Sequence, residues 1–209
     1  MTVERKRRVI DLLVERAPSY IARDYKEGAR CVAATRIAYD VLRYFEIRSK
    51  ALPVVAMAAN AQAYAAMLEA LDLGGPLPRE RQEKLVEEGG WYVQIDTEST
   101  NDGRYAAHLV LGIEEPLYEG DRGFVDLDLQ QFRREPKGIL LPGAISARVF
   151  PEWWDESAEA RYPLDEGGIF VIQRLREYRP FQHTPDWKRK HPCVGPLIRE
   201  IRAELAAGV

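Results

Sequence analysis

Cys31, His108 and Asp126 are the residues whose types, order and setting in this chain could do covalent chemistry. The thiolate is the nucleophilic form of cysteine, and a helix N-terminus favours it through unpaired backbone N–H groups and the positive end of the helix dipole. Cys31 opens the apolar stripe Val32, Ala33, Ile37, Ala38, Val41, Leu42 and Phe45, whose three-to-four spacing predicts a core-facing helix starting there. No strong N-cap precedes it, and Arg30 would add positive charge if its side chain points inward. His108 stands near the start of the apolar run Ala107 to Ile113, where it can face a cleft while the rest of a strand anchors it. A histidine so placed can take the thiol proton and return it to a leaving group. Asp126 ends the next β-rich run, Gly123 to Leu127. If the two strands pair as a hairpin, its carboxylate comes beside the ring and fixes the tautomer. Asp128 shares its alternation parity and points to the same side. Asp126 is preferred because it directly follows Phe124-Val125, but the choice between the two stays open.

These three residues need elements to hold them. Val9, Leu12, Leu13 and Arg16 predict an amphipathic helix from about Val3 to Arg16, stopping before Pro18. A loop with Gly28 as breaker leads to the Cys31 helix. Leu52 to Ala59 reads as a strand, and Asn60 to Leu71 as an alanine-rich helix ending at Gly74-Gly75-Pro76. Arg79 to Glu88 is helix-like and polar. Trp91 to Ile95 and Ile169 to Leu175 join the two runs above as short strands, with Asn101-Asp102-Gly103 as a turn. The stretch from Glu152-Trp153-Trp154-Asp155 to Pro163 reads as an irregular connection. In it one tryptophan packs in the core and the other could line a cleft, with a place in the core the better reading. Pro196 to Ala207 is a closing helix. Helices first and a mostly antiparallel sheet afterwards make the fold class α+β, without the strand–helix alternation of a doubly wound fold.

Composition narrows the function. The 209 residues are 46% hydrophobic, which suits one domain with a real core, carrying a C-terminal extension from about residue 176. Net charge is −3, so the basic excess typical of duplex binders is missing and nucleic acid is disfavoured as a partner. No run of about 18 apolar residues could span a bilayer, and charged residues interrupt the start of the chain where a secretory core would lie. The expected location is the cytosol. The two cysteines are then free thiols.

The order of cysteine opening a helix, histidine opening a strand and aspartate closing the next resembles the transglutaminase-like and arylamine N-acetyltransferase-like branch of the papain-type cysteine enzymes. The stretch Phe124-Val125-Asp126-Leu127-Asp128-Leu129-Gln130-Gln131-Phe132 is similar to the pattern that follows the catalytic aspartate there. The resemblance covers about Arg30 to Phe132. It implies a papain/transglutaminase-like fold and a thioester intermediate on Cys31. The substrate would be a small-molecule, peptide or protein amide or acyl compound, and neither a metal nor an organic cofactor would be needed. Arg30, Asn60 and Gln131 are the expected substrate contacts. The same scaffold would equally serve an inactive binding or inhibitory protein.

Elsewhere, His183, His191 and Cys193 lack the repeated ligand spacing of a zinc site. Trp187 with Lys188-Arg189-Lys190 could touch phosphate, but a solvated loop anchored by one aromatic explains it as well.

Overall fold

The computed structural model describes residues 1–25, 30–95, 107–118, 120–134, 139, 141–156, 158–164, 168–175 and 180–208. The loop glycine at 28 and the turn at 101–103 lie outside them.

Helix α1 spans Val3–Asp24, and the Thr2 hydroxyl caps it by accepting the Arg5 N–H at 3.3 Å. It does not stop before Pro18. Proline removes one hydrogen bond from the ladder, yet the amphipathic stripe continues through buried Ala17 and Ile21. The Pro18 ring rests so closely on Gly143 that a Cβ there would fall 2.8 Å from it. Burying an isoleucine is worth about 1.5–3 kcal/mol, comparable to what an interior proline costs. Helix α2, Cys31–Tyr44, presents Ala34, Ile37, Ala38, Val41 and Leu42 to the core it shares with α1.

The strands are β1 (Ser49–Asn60), β2 (Tyr92–Ile95), β3 (His108–Tyr118), β4 (Asp121–Asp126), β5 (Ile145–Val149), β6 (Glu159–Leu164) and β7 (Gly168–Arg174). They form one antiparallel sheet in the order β5-β4-β3-β1-β7-β6, with β2 also on β1. The two ends of the sheet approach each other. The Tyr162 hydroxyl of β6 donates to the Arg148 carbonyl of β5 at 2.9 Å, so the sheet is nearly closed. Inside it lie Leu52, Val54, Val110, Phe124, Phe132, Phe170 and Trp153.

The stretch expected to be irregular after Glu152 contains a short helix, α5 (Pro151–Glu156), and strand β6. Strand β5 was not foreseen at all. Both tryptophans are buried, and neither lines a cleft. Trp153 Nε1 donates to the Ile172 carbonyl at 3.2 Å, and Trp154 fills the space over Gly112, where a Cβ would meet its ring at 2.8 Å.

On the outer face, α1, α2 and the last helix α7 (Val194–Ala207) cover Leu111, Ile113 and Val125. Helices α3 (Ala61–Asp72) and α4 (Arg79–Glu87) cover the other end, over Ala59 and Val171. The short helix α6, Pro185–Lys188, sits near α2 and is capped by Thr184. The α+β class is therefore as expected.

One feature of the sheet matters for the site. Along the same edge of β1, Ala56 pairs with Ile95 of β2 and Val54 pairs with His108 of β3. Strands β2 and β3 thus follow one another as a single interrupted strand, with residues 96–107 inserted between them. His108 sits at the break.

Candidate active site

Alternation on β1 and β3 assigns the faces. Val54 and His108 point into the closed sheet, while Pro53 and Leu109 point outward, where Cys31 packs in a cluster with Leu109, Val32 and Phe181. A nucleophile on the outer layer and a base on the inner face can meet only where the sheet is interrupted. The Cys31 thiol donates to the Ala107 carbonyl at 3.9 Å, immediately before His108, and lies close enough to the ring to help raise its pKa. The Thr35 hydroxyl, one turn further along α2, donates to the Leu109 carbonyl at 2.8 Å and locks the helix onto β3.

The β3–β4 hairpin supplies the third group. Its tight connection includes Gly120 at φ +98°, a conformation that favours glycine. Leu111 pairs with Val125, so one step further Asp126 lies across from Val110. His108 is its diagonal neighbour on the same face. His108 Nε2 and Asp126 Oδ2 are 2.6 Å apart, and Asp126 Oδ1 accepts the Asp128 N–H at 2.9 Å. The open choice is resolved in geometry: Asp126 holds the ring and Asp128 does not. Phe132 stacks edge-on against the imidazole at 5.3 Å between centroids.

All of this is buried. Relative exposure is 1% for Cys31, 0% for His108 and 2% for Asp126. Burial alone would depress the His108 pKa, but the charge and hydrogen bond of Asp126, with those of Cys31, reverse the sign and raise it to about 10. The site thus favours the protonated ring. Among the described residues no side chain caps α2, so its first-turn N–H groups stay available to an anion beside Cys31.

Asp128 is the anomaly. It is 1% exposed, and neither carboxyl oxygen has a hydrogen-bond partner among the described residues. Arg30 Nε lies 4.0 Å away, too far for a hydrogen bond. Burial, and then repulsion from Asp126, push its pKa up to about 7.

The expected substrate contacts separate. Arg30 is at the site, where its guanidinium donates to the Tyr25 carbonyl at 2.7 Å. Gln131, half-buried on the 3-10 turn Leu129–Phe132, touches His108 Nδ1 with its carboxamide. Asn60 is not brought to the site. It lies six residues along β1 from Val54, about 20 Å away at strand spacing. Its side chain caps α3 by accepting the Ala63 N–H at 3.0 Å, accepts the Trp91 N–H and donates to the Gly89 carbonyl.

Comparison with protein-family models, curated proteins and solved structures finds no match. The functional reading therefore rests on this geometry.

Sequence reasoning missed Thr35, Phe132 and Phe181 as parts of the site. Phe132 ends the Gln-Gln-Phe stretch, the one local signal pointing to it. Trp187 stacks edge-on with Phe181 at 4.9 Å and so joins the wall behind Cys31. His191 uses both ring nitrogens, one with the Tyr25 hydroxyl and one with the Asp186 carbonyl at 2.9 Å. Cys193 lies in the helical core, where burial raises its thiol pKa to about 11. Among the described residues no group of three His, Cys, Asp or Glu side chains is placed to hold a metal. No helix among them is long and apolar enough to cross a membrane.

Proposed function

We propose that this protein is a cysteine-nucleophile hydrolase or acyl/amide transferase on a papain/transglutaminase-like scaffold, with Cys31 as nucleophile, His108 as acid–base and Asp126 as orienting carboxylate. One observation carries the reading: the buried chain of contacts from the Cys31 thiol through His108 to Asp126. With the thiol proton carried on His108, the Cys31 thiolate attacks the carbonyl carbon of an amide or ester. The resulting oxyanion is stabilised by backbone N–H groups at the start of α2. His108 gives its proton to the departing amine or alcohol as the bond to carbon breaks, leaving a thioester. His108 then takes a proton from water or a second amine, which attacks the thioester and releases Cys31. Asp126 holds His108 Nε2, which leaves Nδ1, the nitrogen that Gln131 also touches, to exchange the proton.

The near-complete burial of Cys31 and His108 favours a second reading, a binding protein that retains the triad without turnover. Alkylation of the folded chain at neutral pH, followed residue by residue by mass spectrometry, separates the two. In the enzyme reading Cys31 reacts at least ten-fold faster than Cys193, and His108→Ala removes that advantage. A Cys31 that stays silent until the chain unfolds is a core thiol, and the enzyme reading is then abandoned.

A further inference from the structure

The outer face of the sheet holds a cavity of about 310 Å³ that the triad leaves unused. Val55 and Met57 of β1 and Val171 of β7 floor it, and Leu68 and Leu77 roof it from the α3–α4 hairpin. A space of this size accommodates a small organic group.

Strand register ties the cavity to Cys31. Outward-facing Pro53 pairs with Leu109, against which Cys31 packs. Val55 is the next outward position on the same strand, about 7 Å further on. The wall behind the thiol and the floor of the cavity are thus consecutive outward positions of β1. The interruption between Ile95 and His108 opens beside the same Val55.

The lining also sets the chemistry of the occupant. Among the described residues no Lys or Arg lines the cavity, so an anionic group has no cationic partner there. Its one carboxylate, Glu159, already accepts from the Tyr64 hydroxyl at 3.0 Å and from Arg161 at 2.6 Å. Met57 adapts readily to different apolar shapes. Resting on the cysteine-nucleophile reading, we infer that the cavity takes the neutral, apolar acyl part of the compound whose carbonyl Cys31 attacks. The substrates are then amides or esters of aliphatic or aromatic acids.

The test uses the full chain and a series of N-alkyl maleimides, ethyl, butyl and octyl. Each Cys31 labelling rate is divided by the rate of the same reagent with free cysteine. The expected normalised rate rises about ten-fold or more from ethyl to octyl. Val171→Phe, which fills the floor, brings the octyl-to-ethyl ratio to about one. Leu68→Trp on the roof helix does the same without altering the sheet. A ratio near one in the unmodified chain overturns the cavity assignment while leaving the nucleophile in place. A long-chain advantage that survives both filled variants overturns it too. If no reagent labels Cys31 in the folded chain, the nucleophile reading falls and the inference falls with it.

Discussion

Asp126 divides its two oxygens between His108 and the Asp128 backbone, so it carries both the charge and the posture of the site. An Asp126→Asn variant keeps the size and one acceptor but removes the charge that opposes desolvation of the imidazolium. The His108 pKa should then fall from about 10 toward the ordinary 6.5. The chain has three histidines, so an NMR titration of labelled imidazoles, assigned with His108→Ala, resolves the change directly. An unchanged titration would mean that Asp126 is not what holds the proton. At this scale much was legible in the sequence, because Cys31, His108 and Asp126 each stand at an element boundary that local periodicity marks. Asp128 was legible as a candidate but not in its role. Parity placed it on the right side, while only the folded chain shows that the His108 ring takes Asp126 and that Asp128 has no hydrogen-bond partner among the described residues.

Elements decide what each boundary residue does. Asn60 sits where a strand becomes a helix, and a polar side chain there reads from sequence either as a ligand contact or as a cap. Its three hydrogen bonds join β1, α3 and the Gly89–Trp91 segment, which makes it a joint of the α3–α4 hairpin. Asn60→Ala is therefore expected to lower stability by about 1–2 kcal/mol, measured as a shift in urea midpoint. The Cys31 alkylation rate should stay as it was, and a large loss of that rate would return Asn60 to the site. Helix α2 was legible because its stripe is long and periodic. Strand β5 was not, since Ser146, Ala147 and Arg148 blur its alternation, and edge strand β6 carries Glu159, Arg161 and Pro163, all adverse to a strand reading. Helix α1 ran past its expected end because Ala17 and Ile21 still had a core to face. The interruption between β2 and β3 has no local mark at all. It is a property of β1's long-range pairing, and it is what lets an outer-layer thiol reach an inner-face imidazole.

Across the whole molecule the buried charges should give an asymmetric stability curve with pH. The Glu115 carboxyl is opposed by burial, but the Arg48 backbone N–H and Lys6 outweigh it and hold its pKa below the usual range. Its contribution is present above the unfolded value of 4.5 and is lost as pH falls further. His108 acts in the other direction. Its folded pKa lies above its unfolded one, so its contribution is complete below about pH 6.5 and disappears as pH rises toward 10. Asp128 is also raised, from 3.8 to about 7, so ionising it in the folded state costs stability progressively across that interval. The protein should thus be most stable near pH 4–5 and weaken steadily above it. Asp128→Asn isolates one limb, because it replaces a buried acid by a neutral group of similar shape. At pH 4 the variant and the parent chain should unfold at similar urea concentrations. By pH 8 the variant should be more stable by a few kcal/mol, since each tenfold change in proton affinity is worth about 1.4 kcal/mol. Its curve should stay flat up to about pH 6.5 and then fall, as the His108 contribution is lost. Parallel curves for the two proteins across pH 4–8 would show that Asp128 is solvated or paired in the folded chain, and that its burial is not what weakens the protein as pH rises.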